Sequence, residues 1–404
     1  MNIFKNICLT ALLGTCSAAA LTAQESVLLN ARIQGLKKGE SVYIIKRHGN
    51  EAITDTLTCS RNGRINATID VPYTCEGLLF YLPAGKTRRD LRSSDYLSLC
   101  LDPASRLTLR GKIDDVPHLK ITGGLYDQHR YRSYFDTQAR ILAQAGFYSD
   151  SLSTLNQTAQ NTPEGPERDS LIRQIKTLNE QTWAIVGQSY QEMENFIRRY
   201  PDDPFSAYVL TGIRGSHAKR RRELFNLLSE QARNTPNGQL IATVLATEQA
   251  WQQAKSALKA GSPAPDFSLT GIDGQKVTLS DFRGKYVLLD FWGSWCGPCR
   301  KANKQMVELF EKYGRRNDVA FISLALDRDD KAWRKAVRED GLSWTQVNMC
   351  EQPDGPTSVN VRYGINLYPT QILLSPEGNI LVLQPGDPPA NSLIERKLAE
   401  LFGK

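Results

Sequence analysis

Trp295-Cys296-Gly297-Pro298-Cys299 follows the apolar run Tyr286-Val287-Leu288-Leu289-Asp290-Phe291-Trp292 and precedes a segment, Arg300 to Tyr313, that reads as a helix. Two cysteines at a strand-to-helix turn form a redox pair with a physical mechanism. The first thiol sits at the helix N-terminus, where backbone N–H groups lack partners and the helix dipole is positive. Both favour a thiolate, and such a position lowers a thiol pKa from about 8.5 to about 7 or below. The second thiol, roughly one turn on, can attack a mixed disulfide formed by the first. Pro298 suits an early helical position, because its missing N–H would have had no partner there.

Other uses of the pair fit less well. Half a zinc site needs two more ligands, yet no His follows His217 and the only later Cys is Cys350. Haem attachment places His directly after the second Cys, where Arg300 stands. A purely structural disulfide would close too short a loop to constrain the chain much. The reading is therefore a redox dithiol, with no cofactor and no metal.

The chain has 404 residues, enough for two or three domains. Its net charge of +7 is modest for that length and does not point to nucleic acid. The densest basic run, Lys219-Arg220-Arg221-Arg222, is expected to be a solvated helix face. Residues 1–23 read as an export signal: Lys5 is basic, Ile7 to Ala20 is mostly apolar, and small residues follow, with cleavage expected near Ala23. The apolar stretch is short for a membrane span, which needs ~20 residues. Thr15 before Cys16 is a poor fit to a lipoprotein signal. The mature chain is expected to be soluble, exported and periplasmic. Signal removal takes away Cys8 and Cys16 and leaves Cys59, Cys75, Cys100, Cys296, Cys299 and Cys350. Three of these lie in the first domain, so at most one internal pair forms there. Free buried cysteines are the alternative, and the connectivity stays open.

In chain order, residues 24–122 read as an all-β sandwich of short strands, with Arg61-Asn62-Gly63-Arg64 as a hairpin turn. Residues 123–258 read as α-helical, with helices over Tyr131–Ala145, Ser170–Arg199, Phe205–Gly212, Glu223–Ala232 and Gly238–Ala257. Loops fall at Thr162–Pro166 and Tyr200–Pro204. Residues 262–404 read as an α/β module. A hairpin around Asp273-Gly274 comes first. The strand 286–292 and the dithiol helix follow. Val319–Leu326 is a continuous apolar strand, as in a sheet covered on both faces. A helix over Lys331–Glu339, a second hairpin around Pro376–Asn379 and a last helix, Asn391–Phe402, complete it.

Several ordered motifs in this third part resemble a known family. They are Pro263-Ala264-Pro265-Asp266-Phe267, Leu279-Ser280-Asp281-Phe282-Arg283-Gly284-Lys285, the Trp-Cys-Gly-Pro-Cys motif, and Tyr363-Gly364-Ile365-Asn366-Leu367-Tyr368-Pro369-Thr370. Residues 262–404 are similar to thioredoxin-fold modules of the TlpA/ResA type, which are extracytoplasmic thiol-disulfide oxidoreductases. The β region resembles the domain of uncharacterised role that often precedes such modules. The resemblance implies that Cys296 is the attacking thiolate and Cys299 the resolving thiol, joined when oxidised in a redox-active disulfide. The Gly297-Pro298 spacer is the thioredoxin one and leans towards reduction. Asp290, at the offset where thioredoxins carry an Asp, has two readings. It is either a strand-end residue facing water or a buried acid with a raised pKa that takes the Cys299 proton. Tyr368-Pro369 matches the cis-proline loop, whose backbone pairs with an extended substrate peptide. Trp292 and Trp295 are placed beside the site, Trp292 with plain core as the alternative. Substrate contacts are thus expected at Trp295, Gly297, Pro298, Tyr368 and Pro369.

Two positions depart from the family pattern: Ala302 and Lys304 stand where Glu and Pro are common. The first removes a residue used towards a cytochrome c maturation partner, and the second removes a helix kink. Arg300, Lys301 and Lys304 form a basic rim. The implied activity is thiol-disulfide exchange on cysteine-containing exported proteins, more as reductase than oxidant, supplied by a membrane electron donor. Two alternatives stand beside it. One is a binding or scaffold protein whose Cys pair only regulates it. The other is a thiol peroxidase, against which Trp292-Gly293-Ser294-Trp295-Cys296 lacks the Pro-x-x-x-Thr-x-x-Cys pattern.

Overall fold

The structure is a computed structural model and describes residues 26–48, 51–213, 217–352, 355–386, 388 and 392–403. The expected export signal, with Cys8 and Cys16, lies outside the described residues. The chain divides into two compact units at Ala242/Thr243.

The N-terminal unit begins sheet-rich. β1 (Ser26–Gln34) alternates buried and exposed residues and turns Val27, Leu29, Ala31 and Ile33 inward. Its sheet also holds β4 (Arg64–Asp70), β7 (Arg106–Lys112) and β8 (Lys120–Thr122), in the order β4-β1-β7-β8. A second sheet holds β2 (Ser41–His48), β3 (Glu51–Thr58), β5 (Cys75–Tyr81) and β6 (Leu97–Leu101), in the order β3-β2-β5-β6. The turn at 61–64 has Asn62 and Gly63 both left-handed, at φ 48° and 72°, as its residue types require. It is not a hairpin, however. β3 before it and β4 after it belong to different sheets, so the turn hands the chain from one sheet to the other. Turn chemistry is local, whereas partner choice follows the buried faces. β4 buries Ile65 and Ile69 beside β1.

Cys59, Cys75 and Cys100 are buried thiols outside any disulfide. Strand register explains why the two nearest do not join. Cys75 lies opposite Leu101, and Cys100 opposite Glu76, so the two thiols point to opposite faces of their sheet. Burial pushes the Cys75 thiol up to about 12.

The helical middle starts with α1 (His129–Asn161) and α2 (Pro166–Arg199). α1 runs well past the expected Ala145, because no breaker occurs before Thr162-Pro163 and its distal half still buries Ser149, Leu152 and Ala159. α3 (Pro204–Thr211) follows, with Asp203 capping its first turn. The single helix expected over Glu223–Ala232 is two, α4 (Ala218–Leu227) and α5 (Glu230–Arg233). Ser229 interrupts it by accepting the Ala232 N–H as a new N-cap. The basic run is not simply solvated: Arg221 is buried and donates to the Ile213 carbonyl at 2.9 Å, and Arg220 pairs with Glu194. α6 (Pro236–Ala257) carries the chain into the second unit.

In the second unit β9 (Ser268–Thr270) and β10 (Lys276–Thr278) form a hairpin. The main sheet has five strands, β11 (Tyr286–Trp292), β12 (Val319–Ala325), β13 (Thr345–Asn348), β14 (Thr370–Leu374) and β15 (Ile380–Pro385), in the order β13-β12-β11-β14-β15. β11, β12 and β13 are parallel, β14 is antiparallel to β11, and β15 is antiparallel to β14. The helices are α7 (Gly297–Tyr313), α8 (Asp330–Glu339), the short α9 (Val359–Arg362) and α10 (Leu393–Phe402). Both faces of the sheet carry an apolar core. This is why β11, β12 and β14 read as nearly unbroken apolar runs. The arrangement is the thioredoxin fold. Among the described residues no helix is long and apolar enough to cross a membrane.

Candidate active site

β11 is the central strand of its sheet and is buried from Val287 to Trp292. Where it ends, three contacts fix the loop that leads to the cysteines. The Leu326 N–H donates to the Trp292 carbonyl at 2.9 Å. Ser294 donates twice to the Asp327 carboxylate, from its N–H at 2.8 Å and from its hydroxyl at 2.6 Å. The Trp295 indole N–H donates to the Leu326 carbonyl at 2.7 Å. The loop after β11 is thus tied to the end of β12.

Cys296 is the N-cap of α7, and its Sγ accepts the Cys299 N–H at 3.2 Å. Pro298 occupies the first turn without leaving a donor unpaired. Cys296 and Cys299 are joined in a disulfide with Cα atoms 5.2 Å apart. Cys299 is fully buried, whereas Gly297 and Pro298 are exposed. Cys296 is itself buried, at 5% exposed, so the little access there is lies on its side of the pair.

Trp295 is 55% exposed, and its ring meets that of Tyr368 edge-on at 5.8 Å. The Tyr368-Pro369 bond is cis. Pro369 is buried and its carbonyl accepts the Gly386 N–H at 2.8 Å. Leu367, next along that loop, is half exposed. Trp295 and Tyr368 thus form an aromatic ledge, with Gly297 and Pro298 following Trp295 in the chain. Trp292, by contrast, is fully buried in the core cluster that contains both cysteines.

Asp290 is buried and does not face water. It lies inside β11, paired with Ser323 on one side and Gln371 on the other. Burial pushes its carboxyl up to about 7, against the opposing pull of a hydrogen bond from the Ser323 hydroxyl at 3.2 Å. The sequence alone marks neither Ser323 nor Asp327 as part of the site. A polar residue inside an otherwise apolar strand was the available signal for Ser323.

The basic rim is only partly free. Arg300 is clamped by Asp340 at 2.5 and 2.7 Å and by Glu339 at 3.1 Å. Lys301 and Lys304 are exposed. Ala302 is buried, and Asn303 donates to Asp340 at 2.6 Å. Among the described residues no group of three or more His, Cys, Asp or Glu side chains could hold a metal ion.

Comparison with known proteins gives this geometry a context. The Redoxin family model matches residues 259–400. Thiol-disulfide oxidoreductase ResA of Bacillus thuringiensis (strain Al Hakam) is 34% identical over 127 residues, which are 31% of this chain and 70% of the relative. The chain belongs to the ResA family of thiol-disulfide oxidoreductases. ResA of Bacillus subtilis (strain 168) is 30% identical over 132 residues, 33% of this chain and 70% of that one. A solved structure, a thiol-disulfide oxidoreductase from Bacteroides fragilis NCTC 9343, is 39% identical over 35% of this chain and all of that chain, with a TM-score of 0.31. In this ResA-family chain α7 is one uninterrupted helix from Gly297 to Tyr313, with Lys304 inside it.

Proposed function

We propose that the chain is an exported, periplasmic thiol-disulfide reductase that acts on cysteine-containing exported proteins and is recharged by a membrane electron donor. The observation that carries the reading is Cys296 itself. It is the N-cap of a helix, its sulfur receives a backbone N–H, and exposed residues flank it on both sides. Export is supported by the basic and apolar composition of residues 1–23.

In the reduced enzyme the Cys296 thiolate attacks one sulfur of a substrate disulfide. A mixed disulfide forms and the other substrate sulfur leaves as a thiolate. Asp290 then takes the proton from Cys299. The Cys299 thiolate attacks the Cys296 sulfur, closes the Cys296–Cys299 disulfide and releases the second substrate thiolate. Two electrons have passed from the dithiol to the substrate, and an external dithiol donor must return them. Tyr368, the residue before the cis-proline, pairs its backbone with an extended substrate, which accepts many sequences, and Trp295, Gly297, Pro298 and Pro369 line the contact. The two N-terminal sheets form a sandwich that, with the helical region, belongs to a module separate from the redox part. The inward apolar side chains of β1 and β4 support that layout.

Cys299→Ser tests the function. The variant lacks the thiol that resolves the mixed disulfide. It is expected to accumulate covalent adducts with periplasmic proteins through Cys296, visible as bands that vanish on reduction. No adducts beyond those of a Cys296→Ser/Cys299→Ser control would remove the protein-reductase reading.

A further inference from the structure

Asp290 sits within a buried polar row that crosses the whole five-stranded sheet. Register pairs it with Ser323 on β12, and Ser323 with Gln346 on β13. On the other side Asp290 pairs with Gln371 on β14, and Gln371 with Gln384 on β15. Each of the five is at most 6% exposed. Directly paired residues project from the same face of a sheet, with Cβ atoms about 4.5–5.5 Å apart. That face is the one under α7. The residues two positions away, Leu288 and Trp292, Phe321 and Ala325, Trp344, and Leu373, share one core with Cys299 and Met306.

A polar row costs stability in such a place unless it is satisfied. At Ser323 it is. The Trp344 indole N–H donates to the Ser323 oxygen at 2.9 Å, which leaves the hydroxyl proton of Ser323 to be donated to Asp290. At Gln371 it is not: the amide nitrogen is buried without a hydrogen-bond partner. An unmet buried donor costs about 1–3 kcal/mol and calls for a reason. It stands in register with Asp290 without bonding it, and Gln346 and the Gln384 amide nitrogen are unmet as well. Gln384 continues the row, its oxygen accepting the Leu393 and Ile394 N–H groups at the start of α10 at 2.8 and 3.4 Å.

Resting on the Asp290 reading above, we propose that Ser323, aimed by Trp344, is a positioning residue that opposes the effect of burial on Asp290, and so sets the pH range in which it takes the Cys299 proton. The other groups around Asp290 do not supply this. From α7 come the buried Cys299, Ala302, Asn303 and Met306, with Asn303 committed to Asp340. Of the charged groups on α7 near the site, Arg300 is held by Glu339 and Asp340, and Lys301 and Lys304 are exposed. No charged side chain enters the balance at Asp290, where burial acts against Ser323. The proton moves from the Cys299 sulfur to an Asp290 oxygen. The electron pair left on sulfur then forms the bond to Cys296 as the substrate thiolate leaves.

The test is the pH titration of the Asp290 carboxyl carbon by NMR, together with the pH profile for release of substrate thiol from the Cys296 mixed disulfide. Both are measured on the full chain for the wild type, Ser323→Ala, Gln371→Met and Asp290→Asn. Hydrogen bonds to a charged group are strong enough that losing the Ser323 donor is expected to raise the Asp290 midpoint by about one unit, whereas Gln371→Met leaves it in place. In Ser323→Ala release at pH 7 then slows about fivefold and recovers at high pH. If Ser323→Ala does not fold, Trp344→Phe, which removes the N–H that aims Ser323, is read in its place. If Asp290→Asn abolishes the inflection but Ser323→Ala does not move it, the proposal is overturned and the Asp290 reading survives. If Asp290→Asn keeps the inflection, Asp290 is not the base and both fall together.

Discussion

Cys296→Ser is expected to lower the reduction of protein disulfides at least about a thousandfold, because a serine hydroxyl at neutral pH is neither ionised nor a match for a thiolate as nucleophile. The assay is insulin reduction with dithiothreitol as the electron source. The structure also says that this loss will not be a folding defect. Cys296 caps α7 by accepting the Cys299 N–H, and Ser is among the best residues for that position. Under reducing conditions the variant should melt within a few degrees of the wild type. A Cys296→Ser chain that keeps its biological activity would shift the balance to a scaffold whose cysteine pair only regulates it.

The second large effect concerns stability. Asp290 has a carboxyl pushed up to about 7 in the fold, from an ordinary value of 3.8. Between these two values the native state holds a proton that the unfolded state has released, so native stability falls as pH rises through the window and then levels off. About three pH units correspond to about 4 kcal/mol. Asp290→Asn is nearly isosteric and cannot ionise. It is expected to stabilise the C-terminal unit by about 4 kcal/mol at pH 8 and to change it little at pH 4. Hydrogen exchange of the β11 amides at the two pH values reads this locally. Equal effects at both pH values would mean that Asp290 is not held protonated by burial. The same variant should slow substrate release at neutral pH, so the residue that serves exchange weakens the fold.

The sequence exposed the site where its chemistry is contiguous. Trp295 to Cys299 and the strand and helix around them lie within one short stretch, and the turn at Tyr368-Pro369 is marked by its proline. The α/β module was legible because its strands are buried on both faces and read as apolar runs. What stayed hidden depends on pairing between distant segments. Ser323 looks like one polar residue in an apolar strand, and Gln371 like a strand edge, until register puts both beside Asp290. Asp327 reads as a loop acid, yet it holds Ser294. The turn at Asn62-Gly63 has hairpin chemistry, but local chemistry does not choose a partner strand. Arg221 sits in a basic run that looks solvated, but it is spent on a buried carbonyl.

The most direct test of the account is the reduction potential of the Cys296–Cys299 pair, measured by equilibration in glutathione or dithiothreitol buffers. A value close to that of thioredoxin, about −270 mV, is expected, as a reductase needs. A value close to that of the oxidant DsbA, about −120 mV, would contradict it and assign the chain to disulfide formation or isomerisation.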